Sequence, residues 1–250
     1  MDLDLDPELA ALRPLGGFFV LRTTAPAGEH PGALPTLAEA YAGVPVPGYG
    51  DPLTLRVTTV AGRLRTTEPR VAASIGQQGL AARLWSAALG CAVRYGRLPD
   101  LDPRLLRWDP LASAPDDLWL TEVRPLPGDA AGLADAVLHG HLEPLAQALT
   151  GRHGVAAGLL WGNAGSALAA TARELDRWAR AHGRTDLAAR TQGLTAELFA
   201  HPLLRATGTR TGTAFRRRSC CLYYRVPGGG VCGDCCFTRP PRSSPGAASG

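Results

Sequence analysis

From residue 71 to residue 93 the apolar positions recur at helical spacing, with Ile75, Leu80, Leu84, Trp85, Ala88 and Leu89 on one broad face, which predicts a core helix. Gln77 and Gln78 interrupt that stripe and are expected to face solvent, as isolated polar residues usually do. Three further helical patterns cover residues 130–149, 155–181 and 186–200, with Gly151, Gly154 and Gly183 near their ends. The second of these has no charged residue between Val155 and Ala172. Its glycines, alanines, Asn163 and Ser166 make it weakly hydrophobic, so a buried core helix fits better than a membrane span.

The remaining segments are shorter. Residues 2–14 carry a helical pattern with Asp6 and Pro7 as cap and first-turn residues, and Gly16-Gly17 ends it. GFFVLRTT, residues 17–24, reads as a strand. Residues 25–52 are rich in proline and glycine and predict an irregular stretch with one short helix at 37–42. Residues 53–60 are ambiguous, because alternating threonine and valine favour a strand while a short apolar run is equally compatible with a buried helix. Residues 105–108 and 118–123 read as two strands able to pair. Residues 215–226 and 231–237 look like the arms of a hairpin turning at 227–230, and the tail, 241–250, is expected to be disordered.

The pattern as a whole predicts an α+β fold, mainly α: a helical domain with a small sheet and a short C-terminal cysteine-rich hairpin holding a metal cluster. The expected division is a mixed N-terminal segment (1–60), a mainly helical domain (61–210), a metal-binding lobe (211–240) and the tail. With 250 residues and 45% hydrophobic composition the chain can build a real core. All 26 basic residues are arginine and the net charge is +4. An all-arginine surface reflects nucleotide composition as much as function, and no nucleic-acid partner is expected.

Five of the six cysteines lie in CCLYYRVPGGGVCGDCC, residues 220–236. The N-terminus has neither a basic region nor a long apolar run, so it does not resemble a secretory signal and a cytoplasmic, reducing location is expected. Dense thiols in that setting point to a metal rather than to disulfides. Zinc usually takes two separated C-x2–4-C pairs, and only one such pair exists here. A [2Fe–2S] cluster has two irons, each needing two thiolates, and so suits unevenly spaced ligands better. Both metals accept all-thiolate sites. Cys91, alone among apolar neighbours, reads as an inert core residue.

The spacing C-C-x10-C-x2-C at Cys220, Cys221, Cys232 and Cys235 resembles the C-terminal signature of the FhuF-type ferric-siderophore reductases. RLWSAALGCAV (83–93), HLEPLAQAL (141–149) and LLWGNAGSALAA (159–170) resemble further segments of that family, and the similarity runs from about residue 71 to 237. It implies a cytoplasmic protein with a [2Fe–2S] cofactor on those four cysteines that reduces Fe(III) in an imported ferric siderophore; peripheral contact with a membrane siderophore transporter at the inner face of the membrane is an open option beside it. Cys236 departs from the pattern and could substitute for Cys235.

Other residues offer supporting chemistry. Arg216, Arg217, Arg218 and Arg225 flank the thiols, where they either stabilise an anionic cluster or form a solvated basic edge. Tyr223, Tyr224 and Arg225 are candidates for touching a chelate. Asn163, on the apolar stripe of its helix, either ties the core to a loop or presents an amide to a ligand. His139, His141 and Glu143, two apart on a helix, make poor metal geometry and are expected near solvent. No strand-associated G-x-G-x-x-G is present, so electrons are expected from a ferredoxin or an NAD(P)H-dependent reductase. The competing readings are an iron- or redox-sensing regulatory protein and a zinc-stabilised binding module.

Overall fold

The computed structural model describes residues 9–23 and 34–241. The ambiguous stretch after Asp51 is helical. Asp51 accepts from the backbone N–H groups of Leu53 and Thr54, and Pro52 sits in the first turn, so a cap and a preset φ start helix α2 (Pro52–Leu64) despite its β-branched residues. Before it, the short α1 (Leu37–Ala42) begins with a reciprocal capping box between Thr36 and Glu39.

Helix α3 (Pro69–Tyr95) is the axis of the molecule. It is buried from Leu80 to Val93 along most of its surface, with Trp85, Ala88 and Leu89 wholly inaccessible. Beyond it lie strands β1 (Arg97–Pro99), β2 (Leu106–Trp108), β3 (Leu118–Leu120) and β4 (Pro125–Pro127). β2 and β3 pair antiparallel, with Leu106 opposite Leu120 and Trp108 opposite Leu118, as their apolar content suggests. β1 and β4 form a second antiparallel pair that the sequence pattern did not reveal, because prolines occupy three of its six positions.

The next helical run has three parts: α4 (Ala130–Leu133), a π-helical segment (Ala134–Leu142) and α5 (Glu143–His153), ended by Gly154 at φ +61°. Helices α6 (Ala157–Ala181) and α7 (Thr185–Ala200) follow, and α6 packs along α3. The result is mainly helical with small two-stranded sheets and a C-terminal cysteine cluster. No helix among the described residues is long and apolar enough to cross a membrane.

Several sequence expectations are corrected. The expected strand at 17–24, of which Thr24 lies outside the described residues, is over residues 17–23 a 3-10 turn (Gly17–Phe19) followed by one isolated bridge, Arg22 to Trp119. Buried Arg83 explains this: its guanidinium donates to the Gly17 and Phe18 carbonyls and pairs with buried Asp117 at 2.8 Å, satisfying backbone groups that a ladder would otherwise hold. The helix expected at 2–14 falls partly outside the described residues; Leu9 and Ala10 are helical and Arg13–Leu15 is a 3-10 turn. Gln77 does not face solvent. It is buried where α3 meets α6, with Nε2 donating to the Leu160 carbonyl at 3.4 Å.

His141 is likewise buried rather than near solvent. Its Nε2 donates to the Leu101 carbonyl at 2.5 Å, which fixes the tautomer, so Nδ1 accepts from the Tyr41 hydroxyl at 2.8 Å. His139 Nδ1 and the Glu143 carboxylate meet instead as a hydrogen-bonded pair on the exposed side. Burial pushes the His141 imidazole down to about 4, outweighing the Leu101 carbonyl and the Asp102 charge. As pH falls through the ordinary histidine value, the unfolded chain takes up a proton that the folded chain refuses, so stability drops and levels off only below about 4. Between pH 7 and pH 5 this group is expected to remove about 2 kcal/mol of stability. Urea unfolding at the two pH values should show that loss in the native chain and a loss smaller by that amount in His141→Gln.

Candidate metal centre

The cysteine lobe reaches the helical body through one face of α6, and small residues make the approach close. A Cβ at Gly162 would lie 2.1 Å from Ser219 Oγ and 3.2 Å from an Arg217 nitrogen; one at Gly165 would lie 2.6 Å from Thr207 Oγ1 and 3.2 Å from the Phe215 ring. The uncharged, glycine-bearing half of α6 is thus a docking surface for the C-terminal segment.

Two strands begin that segment. β5 (Gly208–Thr211) and β6 (Ala214–Arg217) form an antiparallel hairpin in which Phe215 and Arg217 point inward. This hairpin lies earlier than the sequence suggested. Residues 218–237 form no ladder at all, only a 3-10 turn (Tyr223–Arg225) and tight turns, because three consecutive glycines and Pro227 leave few residues that favour extended pairing.

A buried polar network fastens the lobe. Ser74 Oγ on α3 donates to the Cys221 carbonyl at 2.8 Å, and Asn163 Nδ2 on α6 donates to the Ser74 carbonyl at 2.9 Å. Asn163 Oδ1 accepts in turn from Arg217 Nη2 on β6. Asn163 is therefore wholly buried, with both ends of its amide engaged inside the protein. Asp234, between Cys232 and Cys235, accepts from Ser166 Oγ at 2.6 Å, pairs with Arg173 at 3.1 Å, and offers its backbone carbonyl to the Arg217 N–H at 2.9 Å. Ser74, Ser166 and Asp234 escaped the sequence reading. Only the aspartate had a signal, its place inside C-x-x-C.

The five thiols fall into two groups. The Sγ atoms of Cys220, Cys235 and Cys236 lie within 4.8 Å of one another and are partly exposed. Cys221 is 2% exposed and hydrogen-bonded to Cys232. The vicinal cysteines thus point apart, each toward a different group. Leu222, at φ +68°, turns the chain so that its N–H donates to Cys220 Sγ at 3.3 Å, and the Phe237 N–H donates to Cys235 Sγ at 3.4 Å. Such N–H···S bonds disperse sulfur charge and influence cluster potential. The hydrogen bond from Cys232 holds Cys221 down to about 7 and raises Cys232 in return. Burial raises Cys220 and Cys236.

At the rim, Tyr223 is exposed, Tyr224 stacks edge-on against Phe237, and Arg225 pairs with Glu68 at 2.9 Å. Arg216 and Arg218 are exposed, whereas Arg217 is buried.

Comparison with known families bears on this arrangement. A model described as FhuF 2Fe-2S C-terminal domain matches residues 217–237, and one described as ferric iron reductase FhuF-like transporter matches residues 79–211, just over half of the chain. The chain belongs to the FhuF-like ferric iron reductase family. A comparison with curated proteins gave no match. Membership of the FhuF-like family brings the [2Fe–2S] cofactor, and the residues present fit it. There are sulfurs in two separate groups, backbone donors aimed at two of them, and a buried guanidinium with no carboxylate partner among the described residues.

The grouping yields an unequal response to ligand loss in this FhuF-like chain. Cys221→Ser and Cys232→Ser each leave their group with one thiol and are expected to lose more than half of the bound iron. Cys236→Ser leaves two thiols in its group and should keep the native iron content. Iron assays on anaerobically purified proteins decide this. Gly165→Leu is expected to keep its helical circular dichroism while iron per chain falls by more than half, since the added side chain meets Thr207 and Phe215.

Proposed function

We propose that this protein is a ferric-siderophore reductase: it accepts one electron from a separate donor protein and passes it to Fe(III) held in a siderophore, with Cys220, Cys221, Cys232 and Cys235 as the cluster ligands. The observation that carries the proposal is the placement of partly exposed sulfurs beside an open aromatic and arginine rim, in a chain of the ferric iron reductase family. When bound, a [2Fe–2S] cluster supplies single electrons.

The chain's own residues have simple tasks. Ser74, Asn163, Ser166 and Asp234 hold the cysteine turns against α3 and α6, so that the sulfurs keep their positions when charge changes. Tyr223, Tyr224, Arg225 and the exposed Arg216 and Arg218 form a surface on which an anionic ferric chelate can rest close to the outer sulfurs. No general base or nucleophile is required. Adding one electron to Fe(III) gives Fe(II), whose lower charge weakens its hold on hard oxygen donors, so the iron can leave the chelate. The donor, a ferredoxin or an NAD(P)H-dependent reductase, replaces the electron. The reaction suits a cytoplasmic setting in which the thiols stay reduced, near the transporter that delivers the chelate.

The test is the visible spectrum of anaerobically purified protein, with iron and sulfide assayed before and after dithionite. The expected result is a red-brown protein with about two irons and two sulfides per chain, bleached on reduction and reoxidised by a ferric siderophore with stoichiometric Fe(II) release. A colourless protein with one zinc would refute the electron-transfer function and leave a structural site.

A further inference from the structure

Arg217 stands out from the arginines around the thiols. It is 2% exposed, and two of its three guanidinium nitrogens, Nε and Nη1, have no hydrogen-bond partner among the described residues. The third, Nη2, meets only neutral oxygens, the Asn163 amide and the Leu159 carbonyl. Asp234, whose backbone carbonyl accepts from the main-chain N–H of Arg217, spends its carboxylate on Ser166 and Arg173. An unpaired buried guanidinium is costly unless an anion compensates it. The thiols supply the direction in which to look. Its backbone N–H donates to the Asp234 carbonyl, between Cys232 and Cys235, and its Nη2 is joined through Asn163 and Ser74 to the Cys221 carbonyl, so hydrogen bonds tie it to both cysteine turns.

We propose that Arg217 is the internal counter-charge of the metal centre, held in place by Asn163, and that it raises the centre's reduction potential by stabilising the state that carries one more electron. This rests on the proposed [2Fe–2S] centre and adds to it which residue sets its driving force. Taking one electron from dithionite makes an all-thiolate centre more negative by one charge, with no atom gained or lost. A fixed positive charge in a poorly solvated site then favours the reduced side of the equilibrium. The exposed Arg216 and Arg218 are screened by water and salt and contribute little. Asn163 is a positioning residue: as a neutral acceptor it orients the guanidinium without cancelling its charge, which an aspartate at that place would do.

The experiment is a spectroscopic redox titration of cluster-loaded protein, comparing the native chain with Arg217→Gln, Arg217→Lys, Asn163→Asp and Arg218→Gln. Removing the charge in Arg217→Gln, and cancelling it in Asn163→Asp, are each expected to shift the one-electron equilibrium toward the oxidised form at least tenfold, about 59 mV lower. Arg217→Lys should recover most of the shift, and Arg218→Gln should stay near the native value. Potentials of Arg217→Gln and Asn163→Asp that match Arg218→Gln would overturn the proposal. So would failure of both to load iron, since Arg217 would then be needed for folding rather than for potential. A native protein that carries no cluster would instead refute the reductase function, and the native spectrum reports that separately.

Discussion

The structure depends on how closely the C-terminal segment can approach helix α6. Residues 218–237 contribute almost no apolar core and no regular backbone ladder, so the segment has little to fold around by itself. What holds it is contact at backbone distance with a helix whose side chains are absent at Gly162 and Gly165, where Ser219, Arg217, Thr207 and Phe215 occupy the vacated space. That approach brings Asn163 under Arg217 and Ser166 under Asp234, so the polar anchors and the glycines are parts of one arrangement. Metal binding and docking are consequently coupled: sulfurs held by these turns fold with the lobe, and the lobe gains stability from whatever the sulfurs bind.

Much of this was legible in the sequence, for reasons that differ by element. The helical stripes of α3, α6 and α7 were clear because their apolar spacing persists over several turns. The cysteine group was clear because its spacing is unusual. The helix at Pro52–Leu64 was ambiguous because propensity and period disagreed, and Asp51 with Pro52 decided it locally. The sequence misplaced the hairpin, since the arginine-rich residues 214–217 gain their strand character from pairing with Gly208–Thr211 and from Phe215 packing on Phe199. Gln77 and His141 were misjudged for a shared reason. Each is a polar residue whose partners, the Leu160 carbonyl and the pair Tyr41 and Leu101, lie far away in the chain.

The uncharged half of α6 shows how one pattern can have two meanings. From the sequence, its length and lack of charge invited comparison with a membrane helix, and its glycines argued against that by lowering hydrophobicity. In the fold the glycines have a positive purpose, as the contact face for the metal-binding lobe. The ferric iron reductase family match covers this helix and the part of α3 from residue 79 onward, so the region shared with the family includes much of the platform on which the cysteines rest.

The division of the thiols gives the centre an inner and an outer end. Cys221 is sealed beneath the lobe, while its partner Cys232 and the trio Cys220, Cys235 and Cys236 are partly exposed. Oxidants and chelators in solution therefore meet four thiols directly and Cys221 only through them. The outward end gathers three thiols within 4.8 Å of one another, so damage to any one of them leaves two still together.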